Sequence, residues 1–377
     1  MKIVIAIDSF KGSCSAINAA YSIERGIKSV LENVEVVKIP VADGGEGTVS
    51  AMLMGTKGIE YQREVTGPLG SKVIAKFAIL DDGTAIIEMA AASGLTLIEV
   101  KKRNPLYTTT YGTGELILEA IKLGSKKIIL GIGGSATNDG GVGAAMALGI
   151  VFNDINGNSV GYGGKELQKI SNIDISGLNP LLKGIDIDIA CDVSNPLYGE
   201  TGAAYIYAAQ KGANDKEVKE LDDGLINYSK IIKSHFNFDG SQLPGAGAAG
   251  GLAIPLIAFC GAKIHSGIEL ILNALNVDDQ FQNADLVITG EGRIDFQTIY
   301  GKVPIGVAAH AKKKNIPVIA IVGSIGNGYK NIYDYGIDSV FNIQNSPMSL
   351  EESMDNTELL LEDCAQRVMR MYLLSNK

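Results

Sequence analysis

The chain has 377 residues, with 33 Lys and Arg against 42 Asp and Glu, a net charge of −9. A hydrophobic fraction of 46% beside 20% charged residues supports large cores and excludes general disorder. An acidic chain without a basic block also excludes nucleic acid as a natural partner, because phosphate neutralisation needs clustered Lys and Arg.

Lys2 to Ile7 is a continuous apolar run, which predicts a buried parallel strand. Ser13 or Ser15 caps the following helix, where Ile17, Ala20, Ile23 and Ile27 recur at helical spacing, and Val34 to Ile39 is the next strand. From Tyr61 to Met89 the pattern alternates, with turn signals at Gly67-Pro68 and Asp81-Asp82-Gly83, and predicts antiparallel hairpins. Strands at Lys127 to Leu130 and Ile185 to Ala190 follow. Pro244 to Ala262 carries no charge, but glycines fill its first half and Pro255 interrupts its second. That predicts a loop feeding a buried helix over Leu252 to Cys260, and no membrane span. Strand–helix alternation returns with Ala284 to Thr289, Val303 to Lys314, Pro317 to Val322 and Ser339 to Ile343. Ser349 and Glu352 form a capping box that opens the C-terminal helical segment.

These textures predict an α/β fold of two α/β domains. Residues 1–57 and 283–377 make a discontinuous Rossmann-like parallel-sheet domain, and residues 58–282 an inserted mixed-sheet domain. The first residues enter a strand with no signal-peptide pattern, and Cys14, Cys191, Cys260 and Cys364 have no metal or disulfide spacing. A cytoplasmic protein is expected. His235, His265 and His310 lie too far apart in sequence to predict a His metal centre or a Ser-His-Asp triad.

The 46 glycines gather in polar clusters at expected strand ends. Asp8-Ser9-Phe10-Lys11-Gly12-Ser13 opens the first helix, where free amides favour an anion and Lys11 adds a charge. In Ala42 to Thr48, Asp43 and Glu46 stand among three glycines, suited to Mg²⁺ or to substrate hydroxyls. Gly131 to Gly143 reads as a phosphate nest built on Gly133 and Gly134, with Ser135, Thr137 and Asn138 as polar contacts. Asp139 in the same loop calls for a metal or a base partner. Asp192 ends a strand, and Lys211 follows in Gln210-Lys211-Gly212. Gly245 to Gly250 matches G-x-G-x-x-G, but polar turn sequence precedes it, so the dinucleotide reading fails. Gly245 and Gly247 then either cradle a phosphate or let a helix pack closely. Gly290 to Thr298 joins Glu291, Arg293 and Asp295 in one turn, with Gly301-Lys302 after it. Arg293 suits a carboxylate or a phosphoryl group in transfer.

Together the clusters call for Mg²⁺, a polyphosphate and a small polar acid, the elements of phosphoryl transfer. Neither a Walker A sequence nor a protein-kinase H-R-D set is present, so residue chemistry leaves donor and acceptor open. In this order, Asp8–Ser13, Val41–Thr48, Gly133–Gly141, Asp192–Leu197, Gln210–Ala213, Pro244–Gly251 and Gly290–Thr298 with Gly301-Lys302-Val303-Pro304 resemble the type 1 glycerate kinase family. The resemblance spans the chain. It implies ATP-dependent phosphorylation of D-glycerate, with 2-phosphoglycerate favoured over 3-phosphoglycerate, and a site in the cleft between the two domains. The alternatives are a kinase of another small hydroxy or sugar acid and an NAD-dependent hydroxy-acid dehydrogenase. Residue chemistry assigns the roles. Asp295, then Asp192, is the proton acceptor; Lys11, Arg293 and Lys211 face phosphates or the glycerate carboxylate; Asp43, Glu46 and Asp139 suit the metal or a hydroxyl.

Overall fold

The computed structural model describes residues 1–42, 44–45 and 47–374. The chain divides into two compact units, one of Met1–Asp43, Ser50–Lys57 and Ile268–Lys377, the other of Gly44–Val49 and Gly58–Gly267. The segment after Gly267 sides with the first unit for a visible reason. His310, buried in the helix Val303–Lys312, faces Asp278 at 2.9 Å and Glu269 at 3.3 Å through its two ring nitrogens.

Among the described residues the first unit carries a five-stranded parallel sheet. Its strands lie side by side as Ser339–Asn342, Val318–Val322, Leu286–Thr289, Lys2–Ile7 and Glu35–Pro40. Numbered along the chain within this unit, that is the order 2-1-3-4-5 of a doubly wound sheet, which reverses direction between Lys2–Ile7 and Leu286–Thr289. Both sheet faces are covered, which explains the continuous apolar runs. Ile3, Ile5 and Ile7 pack with Ala19, Ala20, Ile23 and Ile27 of the helix Ala16–Lys28 and with Leu361 and Val368 of Thr357–Leu374. Val4 and Ala6, which alternation sends to the opposite face, are equally buried. Ser15 caps the first helix by accepting from the Asn18 amide at 3.1 Å, and the Ser349–Glu352 capping box forms as expected.

The second unit holds a six-stranded mixed sheet in the order Lys263–His265, Asp186–Ala190, Lys127–Gly131, Thr84–Glu88, Lys72–Leu80, Gly58–Thr66. The first four are parallel; the last two add antiparallel hairpins at the predicted turns. A 22-residue helix, Asp215–Phe236, opens with a capping box between Asn214 and Glu217. The helix Ala253–Cys260 is short, and among the described residues no helix is long and apolar enough to cross a membrane.

Candidate active site

The reversal of strand order in the first unit brings two loops together at strand carboxyl ends, where open α/β sheets collect ligands. The Asp8 amide donates to the Gly290 carbonyl at 3.1 Å. A Cβ at position 290 would overlap the Ile321 carbonyl oxygen, so only glycine lets this loop leave its strand here. Asp8 is buried, and its Oδ1 accepts from the Ser9 amide at 2.6 Å and the Ser9 hydroxyl at 3.2 Å. Lys11, beyond it, is exposed.

The turn from Gly290 to Lys302 is tied by its own side chains. Glu291 is buried; it accepts from the Thr298 hydroxyl at 2.7 Å and faces Lys302 Nζ at 3.3 Å. Burial pushes its carboxyl above the ordinary value, while Lys302 and Thr298 pull the other way. Asp295 accepts from the Gln297 amide at 2.9 Å and faces Arg293 Nε as an ion pair at 3.3 Å. The Arg293 side chain is 66% exposed against 13% for Asp295. Sequence-predicted Asp8, Ser9, Lys11, Glu291, Arg293 and Asp295 thus lie on two adjoining loops. Lys302 and Thr298 join them, although sequence reasoning gave neither a role.

The second unit gathers another group at its parallel strand ends. The loop Gly131 to Gly143 follows Lys127–Gly131 and is stitched in place. Leu95 donates to the Gly134 carbonyl, Ala136 donates to Ser93, and the Thr108 hydroxyl donates to the Ala136 carbonyl, all at 2.8–2.9 Å. Gly133 and Gly134 are exposed at its tip. Asp139 lies underneath, 1% exposed. Its Oδ2 accepts from the Thr110 amide at 2.8 Å, the Thr110 hydroxyl at 2.9 Å and the Gly143 amide at 3.3 Å; its Oδ1 accepts from the Gly141 amide at 3.2 Å. The Thr110 hydroxyl oxygen in turn accepts from the Ala144 amide at 2.9 Å. Asp139 and Thr110 therefore supply the first turn of the helix Val142–Ala147 and fix the start of Tyr111–Lys122. Burial drives the Asp139 carboxyl upward despite these donors.

Lys211 is buried too. Its Nζ donates to the Ser135 hydroxyl oxygen at 2.8 Å and to the Thr137 carbonyl at 2.7 Å. It meets the predicted loop from within instead of facing a ligand from outside. Burial pulls its ammonium down to about 7, with Asp139 opposing that fall. Gly245 to Gly251 follows a turn and not a strand, so the dinucleotide geometry is missing, as the sequence indicates. These glycines let backbone approach closely: a Cβ at Gly250 would overlap the Thr137 carbonyl, and one at Gly247 the Pro196 carbonyl. Asp192 Oδ1 accepts from the Gly267 amide at 2.8 Å and the Ser266 hydroxyl at 3.0 Å. Ser266 and Thr110 had escaped the sequence reading. A hydroxyl residue directly before a helix was the only local signal for either.

Of the residues expected to hold Mg²⁺, Asp43 and Glu46 lie outside the described residues. Asp139 does not fit the role: both its oxygens already serve N–H and O–H donors, and a cation there would face hydrogen-bond donors instead of acceptors. Among the described residues no group of three or more His, Cys, Asp or Glu is placed to hold a metal ion.

Polar loops collected at the carboxyl ends of parallel strands place this chain among the α/β enzymes. The sequence profile of the glycerate kinase family matches residues 3–373. Glycerate 2-kinase of Escherichia coli (strain K12) is 52% identical over 354 residues, 94% of this chain and 93% of its own length. Glycerate kinase of Halalkalibacterium halodurans is 48% identical over 97% of each chain. The crystal structure of a protein described as glycerate kinase 2 from Salmonella typhimurium LT2 superposes with a TM-score of 0.89 at 46% identity, covering 100% of this chain and 99% of its own. The chain belongs to the glycerate kinase family and is a kinase.

Proposed function

We propose that this chain phosphorylates D-glycerate at its 2-hydroxyl, using ATP and releasing ADP. The observation that carries the reading is whole-chain membership of the glycerate kinase family, together with 52% identity to a relative that bears the name glycerate 2-kinase. In this reaction the glycerate hydroxyl oxygen bonds to the γ-phosphorus, the bond to ADP breaks, and the hydroxyl proton passes to a carboxylate. Asp295 is the first choice for that acceptor, because the same turn holds the exposed Arg293 beside it to meet a carboxylate or phosphoryl oxygen. Asp192 is the second choice, since one of its oxygens already takes two donors. Lys11 and the Asp8–Ser9 turn supply a further anion contact in the first unit. The exposed Gly133 and Gly134, with Ser135, supply one in the second. Mg²⁺ accompanies the ATP phosphates, as an ion that dehydrates reluctantly commonly does, with Asp43 and Glu46 the acids left to assist it. A cytoplasmic location accords with four unpaired cysteines.

The test is a substrate panel with purified protein, ATP and Mg²⁺. ADP release with D-glycerate should exceed that with L-glycerate and with other small hydroxy and sugar acids. Faster turnover of another acid reassigns the substrate. NADH formation from D-glycerate and NAD⁺ would revive the dehydrogenase reading.

A further inference from the structure

A lysine ammonium sealed inside a protein is costly unless its charge has a use, and Lys211 is 2% exposed. It has no carboxylate within salt-bridge distance among the described residues. Its hydrogen-bond partners among the described residues, the Ser135 hydroxyl oxygen at 2.8 Å and the Thr137 carbonyl at 2.7 Å, are both neutral. While Lys211 is protonated its ammonium can only donate, so the Ser135 oxygen accepts. That fixes the polarity of the hydroxyl: its own proton is turned away from Lys211. Among the described residues that proton meets no acceptor. Beside it, the exposed tip of the loop carries the Gly133 and Gly134 amides, which likewise donate to no described residue.

The loop has two further features. Thr137 Oγ1 and both ends of the Asn138 amide are buried without a hydrogen-bond partner among the described residues. Such atoms in folded proteins usually meet an ordered water or a ligand. The loop is also rigid where it matters. Leu95, Ser93 and Thr108 hold its carbonyls and amides from one side, and Gly250 lets backbone close over the Thr137 carbonyl from the other.

We infer that the Gly133–Ser135 tip is an oxyanion site whose Ser135 hydroxyl is held as a donor by Lys211, a positioning residue that does not itself touch the ligand. The guest is a phosphoryl oxygen of the nucleotide or the carboxylate of the hydroxy acid. Both offer the anionic oxygens that two amides and a hydroxyl recognise. The inference rests on the proposed kinase reaction only for its choice of ligands.

Calorimetric titration of the full chain with ADP and, separately, with D-glycerate tests it. Ser135→Ala should weaken one of the two ligands by roughly tenfold or more, the loss expected for one charge-assisted hydrogen bond, and leave the other unchanged. Ser135→Thr, which keeps the hydroxyl, should restore it. Loss of ADP identifies a phosphate site; loss of D-glycerate identifies a carboxylate site. Lys211→Met should weaken the same ligand, and the double variant should be no weaker than Ser135→Ala alone, because Lys211 acts only through that hydroxyl. Weakening of both ligands equally or of neither by Ser135→Ala overturns the site. Additive losses in the double variant, or a Lys211→Met that changes stability alone, overturn the positioning role. If wild-type protein transfers no phosphate to D-glycerate yet Ser135→Ala still loses ADP selectively, the substrate assignment falls and the oxyanion site stands.

Discussion

Substituting Asp139 separates an organising carboxylate from a metal ligand. In Asp139→Asn the side-chain oxygen can occupy the Oδ2 position and keep the Thr110 amide, the Thr110 hydroxyl and the Gly143 amide. The new amide nitrogen then faces the Gly141 N–H with two donors of its own, so the Gly141 donor loses its acceptor and the new N–H groups lack one. That costs about 1–3 kcal/mol. Part of the cost is offset, because a neutral amide escapes the burial penalty that already raises the Asp139 carboxyl. Asp139→Ala deprives all four donors at once and opens a cavity at the junction of two helices, for a loss of roughly 3–5 kcal/mol. Urea unfolding, followed by circular dichroism with the slope compared among variants, gives the ordering: wild type, then Asn, then Ala. Magnesium titration of activity supplies the opposing arm. If Asp139→Asn keeps the wild-type urea midpoint but needs tenfold more Mg²⁺, Asp139 is a metal ligand and the capping argument is refuted.

Lys211 makes stability depend on pH in a definite direction. Its folded value of about 7 lies below the ordinary 10.5, so between these the unfolded chain binds more protons and stability rises with pH. The difference in urea midpoint between wild type and Lys211→Met should therefore move in favour of wild type from pH 6.5 to 9.5, and a constant difference would contradict a buried lysine whose protonation burial disfavours. Gly290→Ala drives a Cβ into the Ile321 carbonyl and should cost about 1–3 kcal/mol while displacing Glu291; wild-type stability and kcat together would show that the loop leaves its strand without strain. Asp295→Asn should lower kcat roughly 10²-fold or more with no rescue by excess Mg²⁺; near-normal kcat moves the proton acceptor to Asp192.

The parallel strands of the first unit were legible because both sheet faces are buried. Ile3, Ile5 and Ile7 serve one and Val4 and Ala6 the other, so the run is apolar throughout. Ser15, Ser349 and the turn after Thr66 were legible because cap and turn chemistry is local. The helix Asp215–Phe236 escaped, although Asn214 and Glu217 offered a readable capping box. The placement of Ile268–Phe281 with the first unit depends on His310 meeting Glu269 and Asp278 across more than thirty residues of sequence. The same distinction runs through the site. Glycine-rich strand ends announced where anions would gather, whereas burial and partner choice are tertiary. Nothing local to Asp139 says that Thr110 will surround it, and nothing local to Lys211 says that it will lie beneath Ser135.

Phosphorus NMR of the product tests the central claim most directly. Purified protein incubated with ATP, Mg²⁺ and D-glycerate should convert ATP to ADP and yield a monoester whose phosphorus couples to the single proton on carbon 2. A monoester coupled to the two protons on carbon 3 would contradict the assignment to the 2-hydroxyl. Release of inorganic phosphate without any ester, or no loss of ATP, would contradict the kinase reaction with this acceptor.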